Sequence, residues 1–254
     1  MTQGYPDEHD IGRYYESDDY ISLNDAAGGL INRIYSISRN IMLHRKHRVV
    51  ENAANLKKGS ILDIGCGTGY FAGRMKKNGW DVTGIEPNKK ARDFGSQRFG
   101  LRVIGPDQIS ALPDRSFDVV TMWHVMEHFH NPFSYAGEIL RLLRPGGLCI
   151  SALPNCSSYD AKYYGESWAA YDVPRHLWHF TPETYRIFAE KTGFQITLIR
   201  SLPLDVFYIS VLSEKNKGTR FYFITGMLKG FLFACRSLFT HRKSSSLIYF
   251  LHRK

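Results

Sequence analysis

An α/β fold on a mostly parallel sheet is what this sequence predicts, and three observations predict it. Short apolar runs alternate with helical stretches of about 10–15 residues, the pattern of βαβ units. The first run breaks into glycines at alternate positions, Gly65, Gly67 and Gly69, where a strand would hand over to a helix. The composition of the 254 residues is globular, 43% apolar and 22% charged, and no repeat of about 20–50 residues marks a solenoid.

The elements follow in order. Residues 1 to 28 are polar and tyrosine-rich, end at Ala26-Ala27-Gly28-Gly29 and read as an arm. From residue 30 to 56, Ile34, Ile37, Ile41 and Val49 recur at helical spacing among Arg33, Arg39, Arg45, Lys46 and Arg48, which predicts an amphipathic helix with a basic face. Strands are expected over 60–64, 80–85, 101–104, 117–122, 148–153 and 194–201, and helices over 70–77, 89–99, 132–143 and 182–192. Segment 154–180 is long for a connection and reads as a lid. Beyond Pro203 the pattern predicts a helical excursion over 204–240 and a last strand over 245–251, antiparallel to 194–201. The chain thus divides into an arm and helix (1–56), a core (57–203) and a C-terminal decoration (204–254).

The chemistry concentrates after the first strand. Asp63-Ile64-Gly65-Cys66-Gly67-Thr68-Gly69 can bend tightly and admit a ligand against bare main chain, and the following helix offers free N–H groups to an anion. Glu86 closes the second strand, where a carboxylate can accept both hydroxyls of a ribose. Together these imply a nucleoside-containing ligand. The glycines lack the Gly-x-Gly-x-x-Gly spacing of dinucleotide sites, which argues against a nicotinamide-dependent oxidoreductase.

The ordered segments Ile61 to Gly69, Gly84-Ile85-Glu86-Pro87, Leu112-Pro113 with Ser116 to Val120, Val125-Met126-Glu127-His128 and Leu143 to Gly147 resemble class I S-adenosylmethionine-dependent methyltransferases over residues 55–200. That resemblance implies a Rossmann-like seven-stranded sheet ending in an antiparallel hairpin, with S-adenosylmethionine as cofactor. By it, the loop of Gly65, Cys66, Gly67 and Gly69 would hold the methionine part, Glu86 the ribose and Asp107 the adenine amino group, with Asp63, Pro87 and Trp123 also binding the cofactor. The arm, with Tyr14, Tyr15 and Tyr20, would close over the cofactor, the alternative being surface tyrosines.

Methyl transfer needs alignment and a base if the acceptor carries a proton. Candidates lie past the fourth and fifth predicted strands. His124, Glu127 and His128 share one face if their segment turns helically; His124 or His128 would be a base, or the group would bind a metal, or it would brace the helix. Ubiquinone-pathway O-methyltransferases look similar here but have an acidic residue at the position of His124, so no metal is assigned. Segment 159–180 holds seven aromatics, and its end, Asp172 to Pro182, resembles bacterial methyltransferases associated with cell-surface saccharides. Arg175 would clamp an anionic group and His176 act as base; alternatively Arg175 pairs with Asp172, His179 fills a polar niche and Thr181 caps the next helix. The function expected is methyl transfer to a small-molecule or saccharide acceptor, with O-methylation favoured. A nucleic-acid acceptor and a non-catalytic S-adenosylmethionine-binding protein are the alternatives.

The net charge of +9 is uneven. Residues 214–254 hold nine basic side chains and one acidic, leaving 24 and 23 for the rest, so the core is nearly neutral and nucleic acid is not expected as partner. The charge instead surrounds the apolar residues 219–239, a candidate for peripheral contact with a membrane through 214–243 or for a homodimer. Four scattered cysteines, a polar start and no uninterrupted run of about 20 apolar residues predict a cytoplasmic chain without a spanning helix.

Overall fold

The computed structural model describes residues 1–4, 6–7 and 30–254, with the side chains of residues 30–38 left aside. Tyr14, Tyr15 and Tyr20 lie outside the described residues. Seven strands, β1 (Ser60–Ile64), β2 (Asp81–Ile85), β3 (Arg102–Ile104), β4 (Phe117–Trp123), β5 (Leu143–Pro154), β6 (Phe194–Ser201) and β7 (Ser246–Arg253), form one sheet. Their order is β3-β2-β1-β4-β5-β7-β6. β3, β2, β1, β4 and β5 run parallel, and β7 enters antiparallel between β5 and β6.

The helices are α1 (Leu30–Ala54), α2 (Tyr70–Lys77), α3 (Lys89–Phe99), α4 (Pro132–Leu142), α5 (Tyr159–Tyr164), α6 (Pro182–Lys191), α7 (Asp205–Asn216) and α8 (Tyr222–Phe239). Alternation along buried strands sends side chains to two cores. Leu62, Val120 and Met122 face one, with Ile139 of α4 and Tyr185 of α6. Ile61, Val119 and Ile150 face the other, with Val50 of α1 and Phe71 of α2. Local chemistry sets the ends of these helices: Gly69 starts α2 at φ +80°, and the Thr181 hydroxyl accepts the Thr184 N–H ahead of Pro182 in α6.

The reversal of strand order puts the loops after β1 and β4 beside one another, the place where open α/β sheets bind ligands. One boundary differs from the expectation. β5 begins at Leu143, not at 148, because Leu143 already pairs with Phe117 before the register shifts and Leu148 comes opposite Val119.

α7 and α8 form a hairpin between β6 and β7. Gly226 and Gly230 let the two helices close: a Cβ on Gly226 would stand 2.5 Å from Val211 Cα, and one on Gly230 3.0 Å from Phe207 Cα. Gly226→Val is therefore expected to destabilise the protein by about 1–3 kcal/mol through overpacking. Thermal melting checks this, with the exposed Phe223→Val as a control that leaves the transition in place.

Candidate active site

β1 ends in the loop that the sequence singled out. Gly65, Gly67 and Gly69 have φ of +69°, +54° and +80°, a region costly for other residues. At Gly65 space is a second reason for glycine, since a Cβ would stand 2.5 Å from Val125 in the loop after β4. Glu86, buried at the end of β2, ties the loop down: one carboxylate oxygen accepts the Gly67 N–H at 2.9 Å and the other accepts the Asn88 N–H at 2.9 Å. Burial raises its pKa against those two bonds. Arg92 donates to the carbonyls of Glu86 and Pro87.

The other cofactor candidates divide by depth. Asp63 is buried and accepts the Thr121 hydroxyl at 2.7 Å, and burial pushes its pKa up to about 7 against that bond and the nearby Lys46. Cys66 lies so close to β2 that a Cβ on Gly84 would meet its Sγ at 2.6 Å, and burial raises its thiol pKa. Its side chain packs against β2. Asp107 is exposed on the 3₁₀ turn Pro106–Ala111 after β3. Trp123 ends β4 with its ring edge-on to Phe71 at 5.5 Å and the Lys46 ammonium 4.5 Å from its centroid.

Lys46 corrects the basic face expected of α1. It turns inward, half-buried, where burial lowers its pKa against the pull of Asp205 and Asp63. Periodicity could not reveal this, since a cation beside an apolar stripe reads equally well as a snorkelling surface residue.

The loop after β4 is a left-handed residue, His124 at φ +60°, followed by the short 3₁₀ turn Met126–His128. His124 Nε2 lies 3.0 Å from Asp205 Oδ2 at the start of α7, and its Nδ1 lies 3.5 Å from Glu127 Oε1. Burial disfavours the charged ring, but the two carboxylates outweigh it and raise its pKa to about 9. This argues against His124 as a base poised near neutrality: the imidazole is already protonated there. Asp205, far along the chain, carried no sequence signal.

Glu127 is buried to 1% exposure, and neither carboxylate oxygen has a hydrogen-bond partner. Burial alone would raise its pKa, but His124, His128 and His176 hold it low. The His128 and His176 rings meet edge-on at 4.6 Å. Each is oriented by a backbone carbonyl, His128 Nδ1 on Arg175 O at 3.0 Å and His176 Nδ1 on Ala170 O at 2.9 Å. Burial lowers the pKa of His128, favouring the neutral ring. Glu127, His128 and His176 also offer ligand atoms within 4.8 Å of one another, a spacing a divalent cation could bridge.

Segment 154–180 folds as α5 and two 3₁₀ turns over a small core of Ala161, Tyr164, Trp168 and Ala170 with Ile209 of α7. The Arg175 guanidinium pairs with Asp172 Oδ1 at 2.7 Å, the Asp172 Oδ2 lying 3.7 Å from His176 Nε2. His179 rests against the Thr2 hydroxyl at 3.0 Å, and burial lowers its pKa to about 4.

A family model described as a methyltransferase domain matches residues 37–199, more than half of the chain. The chain belongs to that family. Among its relatives are two named ubiquinone biosynthesis O-methyltransferase. The one from Maricaulis maris is 35% identical over 62% of this chain and 66% of its own length. The one from Paracidovorax citrulli is 28% identical over 74% and 80%. A tRNA U34 carboxymethyltransferase of Pseudoalteromonas translucida is 28% identical over 67% of this chain and 53% of its own. An S-adenosylmethionine-dependent methyltransferase structure from Archaeoglobus fulgidus shares the fold, with a TM-score of 0.56 and 19% identity over 85% of this chain and 94% of that one.

The protein is thus a methyltransferase with S-adenosylmethionine as cofactor, and the residues fit that molecule. Three left-handed glycines bare the main chain beside a buried Glu86 whose carboxylate is fixed by two N–H groups. When bound, the cofactor supplies an electrophilic methyl group on a sulfonium.

The His124 network gives a direct test. Because the folded value is raised above the usual 6.5, the network stabilises the fold below that pH and the contribution is lost as the pH rises through about 9. An NMR titration should place His124 near that value, and Asp205→Asn should lower it by at least about one unit. Titration near the usual value in the parent would contradict the assignment.

Proposed function

We propose that this methyltransferase transfers the methyl group to a hydroxyl of a small-molecule acceptor, with the His128–His176 pair as proton acceptor. The observation that carries the reading is the buried cluster at the end of β4: an ionised Glu127 beside two imidazoles, each oriented by a backbone carbonyl. A neutral imidazole takes the hydroxyl proton as the acceptor oxygen attacks the methyl carbon. The new O–C bond replaces the S–C bond, and the Glu127 carboxylate stabilises the resulting imidazolium. His124 and Asp205 act as positioning residues, holding Glu127 from behind. Segment 154–180 serves as the lid, with Arg175 exchanging its Asp172 partner for an anionic group on the acceptor. A phenolic or a saccharide ring would fit the aromatic character of that segment; the names of the relatives favour a quinone-type ring.

The test is methyl transfer from labelled S-adenosylmethionine to a panel of phenols and saccharides. His128→Ala and His176→Ala are each made, and at least one is expected to lower kcat by about 10²–10⁴-fold. The base must be neutral to act, and burial lowers the pKa of His128. Activity should therefore stay full at pH 7 and fall only as the pH drops below the usual histidine range. It should also survive a chelator. If both variants transfer methyl groups at the parent rate, or if EDTA abolishes transfer, the base assignment is wrong.

A further inference from the structure

Helix α8 is turned inside out. Two of its polar side chains point into the protein: Lys229 Nζ pairs with Glu214 Oε1 at 2.9 Å and with the Tyr163 hydroxyl, and Thr225 donates to Glu214 Oε2 at 3.3 Å, while the exposed Arg236 lies 4.2 Å over the Tyr159 ring. The small residues Gly226 and Gly230 are buried against α7. Its large apolar side chains point out: Phe223, Ile224, Leu228, Phe231, Leu232 and Leu238 are each at least 60% exposed. A helix at a water-facing surface shows the reverse arrangement. Six large apolar groups on one outward face form a contiguous patch of the kind that marks an interaction surface.

The charges select the partner. Lys215, Lys217 and Arg220 are exposed where α7 turns into α8, and Arg242 is exposed beyond the other end of α8. The apolar face thus carries cations at both ends. The one acidic residue of 214–254, Glu214, is buried and spent on Lys229, Thr219 and Thr225. A second copy of this chain, packed face to face about a two-fold axis, would set this cationic patch against itself. An anionic surface with an apolar interior satisfies both the cations and the aromatics. Among the described residues no helix is long and apolar enough to cross a membrane, so α8 would lie along the surface and not span it.

We propose that the outward face of α8 docks the protein on an anionic lipid bilayer, with the apolar side chains entering the headgroup boundary and the flanking cations meeting lipid phosphates. Segment 154–180 would then stand beside the membrane, because α5 packs on this hairpin through Tyr163 and Tyr164 against Phe233, and the Ala169 N–H donates to Ser213 of α7 at 2.9 Å. The inference concerns the docking face alone and holds for any acceptor.

Co-sedimentation of the full chain with vesicles of phosphatidylcholine, with and without phosphatidylglycerol, tests it. The parent should pellet with the phosphatidylglycerol vesicles and much less with the neutral ones, and added salt should weaken the binding. The double variant Leu228→Glu, Phe231→Glu changes only exposed side chains and should keep the parent melting temperature while its partitioning falls about tenfold or more. The proposal is overturned if the parent stays in solution with anionic vesicles, or if the double variant pellets as well as the parent. It is equally overturned if sedimentation velocity shows a parent dimer that these two substitutions dissociate, which would make the face a contact between copies.

Discussion

The close approach of the loops after β1 and β4 is the constraint on which the remaining site depends. Gly65 passes Val125 with no room for a Cβ, and this contact sets the glycine loop against the loop that carries His124, Glu127 and His128. The strand order makes the approach necessary: the chain builds outward from β1 to β3 and returns to place β4 on the other side of β1. Two loops that leave neighbouring parallel strands at the same end must then share space. Glu86 holds the first loop from β2, and Glu127 anchors the second to segment 154–180, since its carbonyl accepts the N–H groups of Leu177 and Trp178.

Buried charge organises the outer part of the site. Asp63, Glu86, Glu127 and Asp205 all lie near the carboxyl ends of the strands, where burial opposes ionisation of each. Their cationic partners come from outside the sheet: Lys46 of α1 beside Asp63 and Asp205, Arg92 of α3 beside Glu86, and His124 of the loop after β4 beside Asp205 and Glu127. The pair between His124 and Asp205 matters most for the architecture, because it fastens the C-terminal hairpin to the chemistry. A hairpin that the common sheet does not require is thereby attached to the end of β4 on one side and to segment 154–180 on the other.

Much of this was legible in the sequence because its punctuation is local. Glycines and prolines bound α2, α3 and α6 close to where the pattern put them, and the alternate glycines do take the left-handed backbone expected of a tight turn after β1. What was not legible is non-local. The antiparallel pairing of β7 with β6 was expected, but nothing in the apolar run 245–251 says that its other edge pairs with β5, since any buried neighbour would satisfy it. The inward turn of Lys46 and the capture of His124 by Asp205 depend on residues far apart in the chain. The orientation of α8 had a readable signal, the Gly226-x-x-x-Gly230 spacing that chooses which face packs on α7, and hydrophobicity alone concealed it.

We propose that the glycine loop and Glu86 together hold the cofactor. Isothermal calorimetry with S-adenosylhomocysteine measures it most directly. The parent should bind, and Glu86→Ala, which removes the carboxylate that fixes Gly67, should weaken binding about tenfold or more while leaving the protein folded. A folded parent that does not bind, or an alanine variant with unchanged affinity, would contradict the account.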